Sequence, residues 1–557
     1  MKKITFFCFI SLLLISSCKN NTEITEVTQI ALSKSTAMLS VGDSLTLELS
    51  CTPANLPVPS CIWVSSDSTV ARVDKNGKIK ALRRGKSTIM AVKNENKILF
   101  AQCDITVTYK GDGSTSNPYL IYTVADLNAI RDSVNTKNAV YGNKAYKLMN
   151  DLDFSKETSD WTPIADTTTV AFKGVFDGNG KTIKGMNINF SYVKHDRNPY
   201  LKYGGLFGNI EGAEIKNLGV NWTVLFQTPY SGDLYLGGIA GYGSGTITNC
   251  NSTGFIKGYA QGFAYVGGIL GNGTATITNC YSTGDISASS WGSSGACGYA
   301  GGILGKGTTT ITNCHHDSGT LGNEVYRSMP EYAGGIAGHI TGTISNCYST
   351  GAIGYSMKCG GGIAGYSIGT IINCYSTGGV DFDSFFEITN GGIAGQSEGT
   401  IINCYSASKI SGTFAGGIAG SGTDITNCYA TGSITGSKYV CGIAAVATNV
   451  SYCIALNSNI WGWNVSESIV TRACGLFSAS GTANNNYASP SIVVKKNYSS
   501  NVTVKDFSDT KLHGLDLTAQ PADLLNDYVT SNPTFNNIGL KKWKVTAGVN
   551  NGYPVFE

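Results

Sequence analysis

Charge is scarce in this sequence: only 14% of its 557 residues are Asp, Glu, Lys or Arg, and the formal net charge is +3. Basic side chains dense enough to neutralise a run of phosphates are missing, so nucleic acid is excluded as a partner on electrostatic grounds. The one local excess, Lys78 to Lys86 with Arg83 and Arg84, reads as a solvated strand edge. Histidine is scarcer still. None of the five opens a His-Glu-x-x-His pair, which removes the ligand set a zincin needs on one helical face. Helical rhythm is also nearly absent, because 70 glycines punctuate short runs of Thr, Ile, Asn and Tyr that favour turns and strands. What remains is 42% apolar content over a length sufficient for two or three domains with a sizeable core.

At the N-terminus Lys2 and Lys3 precede a mostly apolar run, Ile4 to Ile15, which has the form of a secretory leader and is too short to span a bilayer. The text that follows, Ile15-Ser-Ser-Cys18, resembles the lipobox of bacterial lipoproteins. That resemblance implies diacylation of Cys18 and attachment to the outer membrane through an N-terminal lipid, since more than one acyl chain gives stable anchoring. Residues 19–26 are polar and unpatterned, as in a tether.

From Ile30 onward short alternating runs recur at about ten-residue spacing, the signature of a β-sandwich. They include Met38-Leu-Ser-Val, Ser44 to Ser50, Ile62-Trp-Val, Gly85 to Val92 and Asp104-Ile-Thr-Val. The text Val41-Gly-Asp-Ser, Thr52-Pro-Ala-Asn, Trp63-Val-Ser-Ser-Asp, Asn76-Gly-Lys and Ala81-Leu-Arg-Arg-Gly resembles the bacterial Ig-like group 2 family. The resemblance implies a spacer or recognition module without catalytic residues. Trp63 is expected in its core, and two of Cys51, Cys61 and Cys103 are close enough to strand ends to pair in an exported module.

Internal repetition is the strongest signal. A unit of the form Gly-Gly-Ile-Ala-Gly, a short gap, then Gly-Thr-Ile-Thr-Asn-Cys-Tyr-Ser-Thr-Gly recurs with Cys at 250, 280, 314, 347, 374, 404 and 428, and a degenerate copy follows at Cys453. The spacing between cysteines varies while the motif does not, so an outer loop absorbs the variation. A unit this small buries its apolar face only by stacking on its neighbours. Ile247 and Cys250 are three residues apart, which alternation forbids within one strand; the chain must bend between them, and Asn249 tolerates the left-handed conformation that makes the bend. Ile239, Ile247, Cys250 and Ile256 are then inward-pointing, one row per coil, and a row of plain thiols packs well in such a core.

These blocks, with the lead-in Asp112-Gly-Ser-Thr-Ser-Asn-Pro-Tyr, Trp161-Thr-Pro-Ile and Phe172-Lys-Gly-Val-Phe-Asp-Gly-Asn-Gly, resemble the GLUG repeats of bacterial surface proteins and of the N-terminal region of IgA-specific metalloendopeptidases. The expected fold is therefore all-β: an Ig-like sandwich over 27–108, a linker over 109–117, then a right-handed parallel β-helix. The helix has a lead-in and N-terminal cap over 118–203, repeats over 204–504 and a C-terminal cap over 505–557, with the stretch 124–134 covering the first end. Asp177-Gly-Asn-Gly180 lacks the downstream Glu of a calcium loop and reads as a glycine-rich turn. No cofactor and no metal are expected.

No constellation reads as catalytic. The carboxylate-bearing clusters, Asp381 and Asp383 with Glu387, and His315, His316 and Asp317 beside Glu324, lie in outer segments where a solvated role is ordinary. The same segments carry aromatics able to stack on sugars or meet a protein: Trp291, Phe382, Phe385, Phe386, Trp461 and Trp463, together with Tyr326 and Tyr332. The leading expectation is a non-catalytic surface adhesin or ligand-display rod that binds glycan or a host protein. The alternative is a β-helix that degrades or captures polysaccharide, which for degradation requires convergent acids in one groove.

Overall fold

The structure, a computed structural model, describes residues 26–557 except 95–97, 109, 137, 168, 191–201, 228–231, 292–295, 323–330, 355–357, 382–386, 464–467, 497–501, 504–507 and 533–538. Two compact units divide the chain, one ending at Lys110 and one beginning at Gly111.

The first unit is a sandwich. Strands Thr36–Ser40, Phe100–Thr108, Gly85–Lys93 and Cys61–Ser65 lie side by side in that order; Ser44–Thr46, Lys78–Ala81 and Ala71–Val73 form a second sheet; Gln29–Leu32 pairs with Leu49–Thr52. Alternation along Gly85–Lys93 buries Ser87, Ile89 and Ala91, and Ile89 joins Leu47, Val70, Ile79, Cys103, Ile105 and Val107 in one core, with Trp63 packed against it. The single strand expected over Ser44 to Ser50 is broken at Leu47, because its first half pairs with Lys78–Lys80 and its second with Gln29–Leu32. The Lys78 strand is central rather than an edge, although Lys78 and Lys80 themselves are exposed. Cys51, Cys61 and Cys103 are all thiols, with no disulfide between them.

The second unit is a β-solenoid of about 11 coils. Parallel registers carry each position to its counterpart one coil on: Leu236 to Val266, Ile247 to Ile277, Ile256 to Ile286. The interior is a set of rows. Ile239, Ile247, Cys250 and Ile256 are all at most 2% exposed, and so are Ile269, Ile277, Cys280 and Ile286. Between the Ile and Cys rows every coil turns at a left-handed residue: Asn249, Asn279, Asn313, Asn346, Asn373, Asn403 and Asn427 all have φ between 52° and 54°. Asn holds that conformation at low cost because its short amide bonds locally; here the amides also bond to one another, Asn249 Nδ2 donating to Asn217 Oδ1 (3.1 Å) and Asn279 Nδ2 to Asn249 Oδ1 (3.1 Å). The ladder begins at Asp177, which accepts from Asn217 Nδ2, and the Asp177-Gly-Asn-Gly180 stretch is a bend with Asn179 at φ 54°.

The cysteines form a row of thiols. Each backbone N–H donates to the sulfur one coil on, as Cys250 N to Cys280 Sγ and Cys280 N to Cys314 Sγ, both 3.4 Å, while each thiol donates to the carbonyl two residues back. Burial pushes Cys280, Cys347, Cys404 and Cys453 well up; at the alternating members Cys314, Cys374 and Cys428 burial acts the same way, but hydrogen bonds from the neighbouring thiols and amides outweigh it and lower them. In the last coil Asn486 Oδ1 takes the place of the sulfur and accepts from Cys453 N at 3.0 Å. The second glycine of each pair admits no side chain: a Cβ on Gly238 would lie 2.0 Å from Ser252 Oγ and 2.3 Å from the Gly268 carbonyl.

Both ends depart from the repeat. Helix Val124–Thr136 buries Leu127, Ile130 and Val134, and Asn135 ties it to the lead-in through Pro163 O and Ala165 N. Residues 505–557, expected as an end cap, do two different things. The turn of helix Thr510–His513 and strand Leu515–Asp516 add to the last coil, with Arg472 bonded to Asp516 and Gly514. The remainder folds back along the side: helix Pro521–Ser531, Trp543 and Phe556 pack on Tyr405, Tyr429, Ile454 and Leu456. The physical reason is that the outward Tyr row of these coils is apolar surface that only a lateral segment can cover.

Candidate functional site

Outward positions of the coils carry two aromatic columns. One follows the cysteine row: Tyr281, His315, Tyr348, Tyr375, Tyr405 and Tyr429 stack at 4.7–5.1 Å with nearly parallel rings. Its later members lie under Trp543 and Phe556, and Tyr429 Oη donates to the Pro554 carbonyl, so that part is structural.

The other column precedes the glycine pairs. Tyr203, Tyr235, Tyr265, Tyr299 and Tyr332 occupy one register position in successive coils, with ring centroids 5.2, 5.0, 5.2 and 5.4 Å apart. Beside it runs a second row, Tyr242, Asn272, Lys306, His339 and Tyr366, again one residue per coil. Tyr242 is 39% exposed and Tyr235 and Tyr332 are half-buried, whereas Tyr203, Tyr265 and Tyr299 are buried. Burial pushes the hydroxyls of Tyr235, Tyr265 and Tyr299 up, so they remain donors. Burial likewise holds His339 down at about 4 and therefore neutral. The face can offer a row of hydroxyls, two ammonium groups (Lys306 and Lys358) and a few open rings. The signal for it was in the sequence as Tyr-x-Gly-Gly at 235, 265, 299 and 332, and only Tyr332 of that column stood out as a loop aromatic.

Of the aromatics singled out from sequence, Trp291 is 48% exposed and Trp463 is 50% exposed, while Trp461 is half-buried in strand Asn459–Gly462. Trp291 N bonds to Ala260 O and Trp463 N to Gly436 O, which puts them several coils apart and forms no joint platform. Phe382, Phe385, Phe386, Tyr326 and Cys18 lie outside the described residues, as do Asp383 and Glu324.

Among the described residues the acid clusters do not converge on a groove. Lys409 Nζ is 2.5 Å from Asp381, and Ser411 donates to the same carboxylate; burial opposes that charge, but the two hydrogen bonds outweigh it and hold the Asp381 carboxyl below its usual range. Glu387 pairs with Lys438 instead. Strand alternation splits the histidines: His315 points out between Tyr281 and Tyr348, 3.3 Å from Asp317, and His316 points in, its Nδ1 2.8 Å from Ser282 Oγ.

Residues 26–99 match the model of the bacterial Ig-like domain (group 2), and residues 264–287 and 330–354 match that of the GLUG motif. Halomucin of Haloquadratum walsbyi is 32% identical over 161 residues, 28% of this chain and 2% of halomucin. A putative Gly-rich membrane protein of Evansella cellulosilytica is 32% identical over 153 residues, 27% of this chain and 16% of that protein. The chain thus spans a small part of the relatives it matches. Among solved structures, an IgA1 protease aligns with 78% of this chain and 28% of its own at 14% identity, with a TM-score of 0.31. The chain is thus a bacterial Ig-like group 2 domain followed by a β-solenoid that carries GLUG motifs.

Proposed function

We propose that this chain is a non-catalytic protein of the cell envelope, anchored through lipid on Cys18, whose solenoid is a rod that displays a binding face to glycan or to a host protein. The observation that carries the reading is the Tyr203-to-Tyr332 column with its neighbouring row of Tyr242, Lys306, His339 and Tyr366: hydroxyls, ammonium groups and open rings repeated at coil spacing along one side of the rod. In chain order the segments that bear Trp291, Phe382, Phe385, Phe386 and Trp463 precede strands of this same sheet, and Trp461 lies in one of its strands, Asn459–Gly462; we assign these residues an adjusting role. Relatives named halomucin and membrane protein support an envelope location. The lysine-paired acids favour display over hydrolysis.

Protease shaving of intact cells is expected to remove the rod from the wild type, and radioactive fatty acid is expected to label the wild type but not Cys18→Ala. Persistent label in Cys18→Ala removes the anchor. The purified full-length chain is expected to bind on arrays of glycans and host-matrix proteins; silence on both removes ligand display.

A further inference from the structure

We infer that the tyrosine face binds an acidic, extended polysaccharide, with Lys306 and Lys358 receiving its carboxylates and the tyrosine hydroxyls bonding its sugar hydroxyls. This rests on the display reading above and narrows it to one ligand class.

The rings of the main column stack on one another at 5.0–5.4 Å from Tyr235 to Tyr332, so their faces are occupied; Tyr235 and Tyr332 are half-buried, and Tyr265 and Tyr299 lie buried in the line between them. That line recognises a hydroxylated polymer by hydrogen bonding rather than a planar ring by stacking. Open rings flank it where the geometry turns: Tyr242 is edge-on to Tyr235 (72°) and Tyr366 is edge-on to Tyr332 (63°), each able to carry one apolar sugar face. Parallel coils advance about 4.8 Å, a step comparable to one residue of an extended pyranose chain, so a linear polymer repeats the same contact on successive coils.

Charge selects among such polymers. Lys306 Nζ sits 4.6 Å from the Tyr299 ring centroid, 6.0 Å from that of Tyr265 and 3.4 Å from the Tyr299 hydroxyl; Lys358 Nζ sits 5.9 Å from the Tyr332 centroid. Among the described residues these ammonium groups are held by rings and hydroxyls rather than by carboxylates. Burial already works against the charge on Lys306, so an arriving carboxylate supplies the counter-ion this site lacks. The two acids nearest the face mark its limits. Asp233 is engaged by Tyr235 Oη and Phe263 N on the earlier coils, and Glu398 lies 3.5 Å from Gln396 Nε2 and is bonded to the Tyr366 hydroxyl on the later ones. Cys297 borders the cationic stretch, near both Lys306 and Lys358.

The test titrates the purified full-length chain with polygalacturonate, alginate, a neutral mannan and poly-L-glutamate, at low and high salt, and follows alkylation of Cys297 in parallel. Expected are binding of the two acidic polysaccharides that weakens with salt, slower alkylation of Cys297 in their presence, and binding of mannan about tenfold weaker or absent. Lys306→Met with Lys358→Met is expected to lose about tenfold in affinity, the scale of two partly exposed ion pairs, with an unchanged thermal melt, and the Arg pair is expected to restore it. Equal binding of mannan, equal competition by poly-L-glutamate, or wild-type affinity in the folded Met pair each overturns the inference while leaving ligand display standing. Failure to bind any glycan or host protein overturns both.

Discussion

The column from Tyr281 to Tyr429 passes through two environments on one scaffold. Over Tyr281, His315 and Tyr348 it stays partly exposed, and the residue two before each cysteine is polar: Thr278, Thr312, Ser345. Over Tyr405 and Tyr429 it lies beneath the C-terminal segment; in the coils of Tyr375 and Tyr405 the position two before the cysteine has become Ile372 and Ile402, packed by Tyr528, while in the Tyr429 coil it stays polar as Thr426. The Asn-Cys pair is the same in both halves. The comparison separates two tasks: Asn and Cys make the coil, and the outward neighbours declare what, if anything, lies over it.

The largest break in that comparison is Trp543→Ala. Trp543 is 1% exposed, touches Tyr405, Tyr429 and Phe556, and donates to Asn403 Oδ1 at 2.8 Å. Its truncation is expected to cost about 3–5 kcal/mol, read as loss of hydrogen-exchange protection over residues 521–556 while the coils stay protected. Protection lost uniformly along the solenoid would mean that the segment is integral to the coils rather than laid on them.

Next is pH. His316 replaces the buried serine of its neighbours Ser282 and Ser349, and burial followed by the charge of His315 holds it down at about 4. A depressed histidine leaves the unfolded chain binding the extra proton, so its contribution is complete above about pH 6.5 and is lost as pH falls towards 4, by roughly 3 kcal/mol. Melts of His316→Ser are expected to lack that component of the acid loss; an identical pH profile would place the sensitivity elsewhere.

The smallest effect is a difference between two equal substitutions. A β-branched residue in the left-handed corner costs about 1–2 kcal/mol, and Asn313→Val also gives up its ladder bond to Asn279. Asn403→Val additionally strands Lys541 O and Trp543 Nε1, and is expected to cost about 1–2 kcal/mol more. Equal denaturation midpoints for the two would erase the distinction between the halves.

The coil was legible because its constraint is local: Ile and Cys three apart admit one explanation, a bend, and Asn is the residue that bends cheaply. The Ig-like strands were legible for the same reason, apart from the break at Leu47, where partners at 78–80 and 29–32 compete for one run and local alternation cannot say so. The lateral segment was hidden because its partners are more than a hundred residues away, as in Trp543 with Asn403. The tyrosine face was hidden differently. Tyr-x-Gly-Gly looks like part of a packing repeat, and only register reveals that its rings line up in one column.

One strap contact after another fixes how this chain can change length. Asn373 reaches Gly539, Asn403 reaches Lys541 and Tyr429 reaches Pro554, so the segment measures off a set number of coils like a ruler. Duplicating a coil inside that span would slide every mark by one step, whereas copying one from the stretch between Cys250 and Cys347 leaves the marks aligned. Growth by repeat duplication is thus channelled into the earlier coils, where the tyrosine face lies, and a lineage gaining units there would lengthen its reach and its contact row together.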